Sequence, residues 1–210
     1  MPVKSREALE HRKSTIIRAA IRILNKKEYS DCPIEDIARA AGIGKGTVYL
    51  YFKSKEELYF SIMLNVIGGM KGIVEDIYAA GGSAPEQVRK IFERLAEYMK
   101  EHEHLMMVIG EEAKPAHGRW HDRLHGSFDG IKKIFRKIIR KGIAAKEFKH
   151  YSPEFMSSVF FALMIAVGRF SRKNRNYPVD GLVKDVSDFF IDGISGRRCR
   201  KFHAPGSRVR

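Results

Sequence analysis

"IEDIARAAGIGKGTVYLYF", residues Ile34 to Phe52, reads as two short helical segments separated by the three residues Gly42, Ile43 and Gly44. Ile37, Ala41, Ile43, Val48 and Tyr51 supply apolar positions by which two short helices can pack on each other. Ala38 is small where they come closest, and Gly42 sits in the turn between them. Pro33 suits a first helical position, Glu35 and Asp36 favour a positive helix end, and Gly42 suits a C-terminal stop, so the first segment is predicted as Pro33 to Ala41. The second, Lys45 to Tyr51, spans about two turns and needs tertiary support to persist. This is the layout of a helix-turn-helix, whose second helix enters the DNA major groove while the first crosses the backbone.

On the second helix Val48 faces inward, leaving Lys45, Thr47, Tyr49 and Leu50 on outward or flanking positions. Lys45 and Gly46 open that helix, where backbone N–H groups and the positive dipole end favour a phosphate. Thr47 can donate to a phosphate or touch a thymine methyl, and the Tyr49 hydroxyl can reach a phosphate. Lys55, at the start of the following helix, can clamp the backbone from the other side. Tyr51 is divided between packing and DNA contact, and Phe52 is assigned to packing.

Outward from this stretch, helical periodicity dominates and no alternating run argues for a sheet. Ile16, Ile17, Ala20, Ile23 and Leu24 place one apolar stripe on a first helix from Ala8 to Lys27. Ser54 and Glu57 form a capping box that opens a long helix. Gly68 and Gly69 mark a place inside it where it can bend or a neighbour can approach. "GGSAPEQ", Gly81 to Gln87, breaks the chain and starts a new helix running to Glu101. Further helices are expected over 105–113, 118–141, 153–172 and 179–194, giving an all-α fold of about nine helices. "SGRRCRKFHAPGSRVR" at the C-terminus reads as a disordered tail.

The charge is unevenly placed. Residues 1–55 hold 12 Lys and Arg against 6 Asp and Glu, residues 56–195 hold 21 against 19, and residues 196–210 hold 6 against none. A nearly neutral body with a basic N-terminal segment and a basic tail points to a polyanion. Two cysteines, Cys32 and Cys199, in a chain of 210 residues argue for reduced thiols and a cytoplasmic setting. No export signal is visible, and the longest apolar run, "VFFALMIAV" from Val159 to Val167, is short of a bilayer span, so no membrane partner is expected.

"STIIRAAIRILNKKEYSDCPIEDIARAAGIGKGTVYLYFKSKEELYFSIM", Ser14 to Met63, closely resembles the N-terminal domain of the tetracycline-repressor (TetR) family of bacterial transcriptional regulators. The matching signs are Ala19 and Ala20, the run from Ile37 to Phe52, and "SKEEL", Ser54 to Leu58. The resemblance implies a three-helix DNA-binding domain over 1–53, a larger helical ligand-binding and dimerisation domain over 54–195, and the tail over 196–210. It implies DNA contact by Lys45, Gly46, Thr47, Tyr49, Tyr51 and Lys55, with Tyr49 and Lys55 on phosphates and Thr47 helping to read bases. Two positions depart from the family pattern: Glu28 stands where a glycine usually ends helix one, and Cys32 replaces a usual hydroxyl, leaving helix two capped weakly or by Asp31.

No nucleotide-binding glycine loop, zinc spacing or nucleophile elbow is present, so no enzyme activity and no cofactor are expected. The resemblance implies a mostly apolar pocket in the body, with Tyr98, Met106, Met107, Ile109, Trp120, Leu124, Phe128 and Phe135 as candidate lining. His117, His121 and His125 recur every four residues with Glu111 and Glu112 upstream, a spacing that can bind a transition metal. Phe155, Val159, Ala162, Leu163, Ala166 and Phe170, with Leu182, Val186, Phe189 and Phe190, form two apolar stripes suited to a homodimer seam. Together these features predict a ligand-responsive repressor that binds a palindromic operator in double-stranded DNA as a dimer and is released by a small-molecule inducer. The alternatives are a non-specific or architectural DNA-binding protein, whose tail residues Arg197, Arg198, Arg200 and Lys201 add affinity, and behind it a metal-sensing regulator or a helical enzyme.

Overall fold

The computed structural model describes residues 3–27, 31–103, 105–106, 124, 126–174 and 176–196, with side chains from residue 7 onward. The fold is all-α. Eight helices lie among the described residues: α1 Val3–Leu24, α2 Ile34–Ala40, α3 Lys45–Tyr51, α4 Lys55–Ala80, α5 Ala84–Glu101, α6 Asp129–Ala144, α7 Pro153–Lys173 and α8 Val179–Ile194. The short helix expected over 105–113 and the start of the one expected at 118 fall largely outside the described residues, as do Glu28 and the tail from 197. The chain separates into two compact units, one within Met1–Gly72 and Glu97–Gly130, the other within Ile73–Ala96 and Ile131–Arg210. Helices α4 and α5 each supply residues to both.

In the first unit, α1 buries Ile16, Ala19, Ala20 and Leu24 at three- and four-residue steps. It begins at Val3 rather than Ala8. Residues 7–12 are exposed, so this first part carries no apolar stripe to betray it. It is helical because Arg, Glu, Ala, Leu and Lys are strong helix formers. Helix α4 opens as a variant capping box: Glu57 N–H donates to Ser54 Oγ at 3.2 Å, and Lys53 N–H, one residue earlier than the usual partner, donates to Glu57 Oε2 at 2.7 Å. A cavity of only about 10 Å³ marks where Leu24 of α1, Cys32 just before α2, Ile37 of α2, and Leu58 and Ile62 of α4 close together. Cys32 is a free, fully buried thiol there, and burial raises its pKa against the pull of nearby Lys55, so it is packed as a small apolar residue.

Helix α4 runs unbroken through its glycine pair. A side chain at Gly68 would meet open space, whereas one at Gly69 would collide with the ring and hydroxyl of Tyr98 on α5. Of the two roles the sequence offers the pair, close approach is the one seen at Gly69. The Tyr98 hydroxyl donates to the Val66 carbonyl of α4 at 3.2 Å, and its ring stands edge-on to His102 at 4.4 Å. His102 Nδ1 lies 3.2 Å from Asn25 Oδ1, within hydrogen-bond distance.

Burial lowers the His102 pKa from its ordinary 6.5, with Glu101 opposing the shift. A histidine depressed in the folded state binds protons more readily when unfolded, so its contribution to stability is complete above pH 6.5 and is lost as pH falls through that value toward the folded pKa. Melting curves between pH 7.5 and 5.5 are therefore expected to show a declining Tm that flattens in His102→Gln. An identical pH slope in the variant would remove His102 from this role.

The second unit is built on an aromatic core. Phe160 of α7 stacks on Phe135 of α6 at 4.2 Å and meets Phe92 of α5 edge-on at 4.6 Å, while Phe190 of α8 packs against Phe92 at 5.7 Å. All four are buried. Buried Gln87 donates through Nε2 to the carbonyls of Ile77, Tyr78 and Gly81, closing the carbonyl end of α4. Ser83 and Glu86 form the reciprocal cap of α5, and Ser152 Oγ caps α7 by accepting from Phe155 N–H. The turn after α6 is pinned where Phe148 lies against Gly142, whose missing side chain makes the room.

Two helices, α4 and α7, are long and apolar enough over an 18-residue window to cross a membrane by length and composition. An uninterrupted apolar run is a stricter criterion than mean hydropathy, which is why the sequence reading found no span. Half of the α4 window is buried, as in the core helix of a globular fold, but only 28% of the α7 window is.

Candidate nucleic-acid interface

Helix α2 ends in a glycine-dependent stop. Gly42 adopts φ 68°, its N–H donates to the Arg39 carbonyl at 3.1 Å, and Ile43 N–H reaches back to Ala38 at 3.0 Å. These are the paired bonds of a Schellman motif, and they turn the chain sharply enough for α3 to begin two residues later. Any residue with a Cβ at Gly42 would be strained in this conformation. At the other end, Pro33 is the N-cap of α2 rather than its first helical residue and makes no side-chain cap bond.

Helix α3 spans Lys45–Tyr51, as the sequence predicts, with Val48 as its one buried residue. Ile34, Ile37 and Ala38 of α2 are buried, as is Phe52 immediately after α3. The opposite face is open: Lys45, Gly46, Tyr49 and Leu50 are exposed, and Thr47 and Tyr51 are half-buried. Leu50, at 82%, is more exposed than any other large apolar side chain among the described residues. Lys55 is half-buried at the start of α4 and lines the small cavity beside Cys32.

Two features of this surface are not local in sequence. Lys45 Nζ pairs with Glu35 Oε1 of α2 at 2.5 Å. That hydrogen bond holds the Glu35 carboxyl below its ordinary range and raises the Lys45 ammonium. Both groups are exposed, so the pair is a weak clasp that a phosphate can replace. Second, a groove of about 360 Å³ runs between α1 and the turn, lined by Arg12, Thr15, Ile16, Ala41, Gly42, Ile43, Thr47 and Tyr51. Sequence reasoning singled out Thr47 and Tyr51 but not Arg12, because only the packing of α1 brings its guanidinium to the same groove.

The other predicted sites are dispersed. Tyr98, Met106, Leu124 and Phe128 lie in the first unit and Phe135 in the second. Phe135 is fully buried and stacks on Phe160 in the aromatic core of the second unit. Met107, Ile109 and Trp120 lie outside the described residues, as do His117, His121 and His125 with Glu111 and Glu112. Among the described residues no group of three or more His, Cys, Asp or Glu side chains is placed to hold a metal ion. On α7 and α8, Phe155, Ala162, Ala166, Phe170 and Phe189 are exposed, and Val159, Leu163, Leu182 and Val186 are half-buried. Phe190 is the exception: it is buried against Phe92 of its own chain and offers no surface to a second one.

A family model described as bacterial regulatory proteins of the tetR family matches residues 16–62. The model of the tetracyclin repressor-like C-terminal domain matches residues 81–194, more than half of the chain. This chain belongs to the TetR family. TetR-family proteins bind DNA as dimers, often sense ligands, and are regulators rather than enzymes. Among relatives of this TetR-family chain, the uncharacterized HTH-type transcriptional regulator YhgD of Bacillus subtilis is 25% identical over 169 residues, covering 80% of this chain and 88% of its own length. The fatty acid metabolism regulator protein of the same organism is 22% identical over 184 residues, covering 87% and 95%. Among solved structures, the transcriptional regulator FadR from Bacillus subtilis in complex with stearoyl-CoA matches with a TM-score of 0.74 at 22% identity, covering 86% of this chain and 98% of its own. A TetR-family regulator from Cytophaga hutchinsonii reaches 0.75 at 21% identity, covering 91% and 98%. At these identities the structural likeness is one of fold.

Proposed function

We propose that this chain is a cytoplasmic repressor that binds a palindromic operator as a homodimer and releases it when a small-molecule inducer binds. The observation that carries the reading is α3 itself, a seven-residue helix anchored through Val48 with its opposite face bare. In this reading residues 1–53 bind DNA, 54–195 bind ligand and dimerise, and 196–210 are a basic tail. Lys45, Gly46, Tyr49 and Lys55 hold the phosphate backbone, Thr47 helps to read bases, and Tyr51 touches DNA from the edge of the groove shared with α1. Lys45 exchanges Glu35 for phosphate on binding.

The dimer seam is the exposed apolar face of α7 and α8. Phe155 at 63% and Phe189 at 72% exposure are too large and too bare to be left in water by a folded monomer without a partner, and Ile165 and Phe170 extend the same surface. A twofold protein then presents its two α3 helices to successive major grooves, about 34 Å apart.

The inducer acts through α4, which is continuous from Lys55 to Ala80. Tyr98 is both a candidate pocket residue and the side chain that packs on Gly69 and bonds to Val66 of α4, so a ligand displacing Tyr98 pushes directly on the helix that begins at Lys55. Only a ligand with different affinity for the two α3 spacings shifts the equilibrium. Similarity to the Bacillus fatty acid regulator, and to FadR bound to stearoyl-CoA, makes a long-chain acyl thioester the first inducer class to test, with Tyr98, Met106, Leu124 and Phe128 as its wall.

Selection of bound DNA from a random pool is the test, followed by titration with acyl-CoAs. One enriched palindrome retained at physiological salt supports a specific regulator, and salt-sensitive binding to every sequence supports the architectural alternative. Lys55→Ala is expected to weaken binding to all sequences alike, and Thr47→Ala to alter which palindrome is preferred. Equal binding by both variants and the parent would remove these residues from the interface.

A further inference from the structure

Leu50 and Gly46 are each poor choices for the protein by itself. Leucine on a solvent-exposed face gains nothing from burial, and Leu50 is 82% exposed. Gly46 is helical, lies outside the positive-φ region, and would meet nothing within 4 Å if it carried a side chain. Neither backbone conformation nor packing calls for glycine there, and glycine weakens a helix relative to alanine. With about 100° of rotation per residue, Leu50 projects about 160° away from buried Val48 and only about 40° from Gly46. Leu50 and Gly46 therefore share the outer face of α3 one turn apart, with open space above Gly46. The result is an apolar projection beside a notch at the apex of the reading face, flanked by Thr47.

The partner of this face is DNA, and its surroundings are basic. The apolar feature that the major groove offers is the thymine 5-methyl group. Resting on the reading of α3 as the groove-entering helix, we propose that Leu50 is a specificity-determining residue that packs on a thymine methyl in each operator half-site, with Gly46 leaving the space for the base to approach. The lysines and Tyr49 around it supply attraction that any sequence satisfies, and Leu50 supplies discrimination.

The test uses the full-length protein and the operator recovered by random-pool selection, with each thymine replaced in turn by deoxyuridine, which removes one methyl group and leaves base pairing intact. One thymine per half-site is expected to show a loss of about fourfold in affinity when replaced, the worth of one buried methyl-sized group. In Leu50→Ala that same replacement is expected to change nothing, while losses at other positions persist. Because Leu50 is exposed, the variant keeps the fold, and the deoxyuridine series on the unaltered protein reads the contact independently of any substitution. Uniform tolerance of deoxyuridine, or a loss that is as large in Leu50→Ala as in the parent, overturns the proposal while leaving α3 as a DNA-binding helix. Failure of the unaltered protein to enrich any DNA overturns both.

Discussion

Val48→Asp is expected to lower operator affinity by at least about 100-fold, equivalent to roughly 3 kcal/mol, without unfolding the rest of the protein. Helix α3 has seven residues, too few to hold itself together in water, and Val48 is its one buried side chain, at 1% exposure. Placing a carboxylate there costs several kcal/mol of desolvation, more than the few contacts of α3 can offset, so α3 detaches from α2. The aromatic core of the second unit contains none of these residues, so helical circular dichroism should fall only by the share of one short helix, and self-association should persist. Val48→Ala removes volume without adding charge and should give an intermediate loss. Fluorescence anisotropy on the selected operator measures both. Parent-like binding by Val48→Asp would mean that α3 is not held through this side chain.

The largest stability effect is expected at Phe160. Its ring is fully buried between Phe135 at 4.2 Å and Phe92 at 4.6 Å. Phe160→Ala should cost about 3–5 kcal/mol, because the lost burial is compounded by a cavity that three surrounding rings cannot collapse to fill. At about 2–4 °C per kcal/mol for a chain of this size, the Tm should fall by about 6–20 °C. Phe160→Leu restores most of the volume and should recover a large part of the loss. A Tm within about 2 °C of the parent for Phe160→Ala would mean that the ring cluster is not the core of the unit.

The reach of the sequence differs between these two residues for a physical reason. Val48 and the turn before it are determined within a few residues. Gly42 needs a left-handed conformation, Ile37 and Val48 need the same burial, and the span of α3 follows from its immediate neighbours. Phe160 also reads as apolar from sequence, as do Phe135, Phe155, Phe189 and Phe190. Which of these face inward depends on helices far apart in the chain. Phe135 and Phe190 close around Phe160, while Phe155 and Phe189 stay bare.

Helix α1 shows the opposite limit. Its first part is helical without an apolar stripe, so a reading based on amphipathicity starts it late even though composition supports it. At Gly69 the sequence permits a bend or a close neighbour, and the answer lies in Tyr98, some thirty residues away on α5. Arg12 joins Thr47 at one groove, and Glu35 clasps Lys45, only because α1, α2 and α3 pack as they do.

From the sequence alone come the all-α class, the two short helices and their glycine turn, and the outward positions of α3. All are set by local periodicity, capping and backbone conformation. Only the tertiary structure decides which aromatic rings form the core, which apolar faces remain exposed, and that Arg12 joins Thr47 at one groove. Burial is a property of the whole packing, and a residue's neighbours along the chain do not determine it.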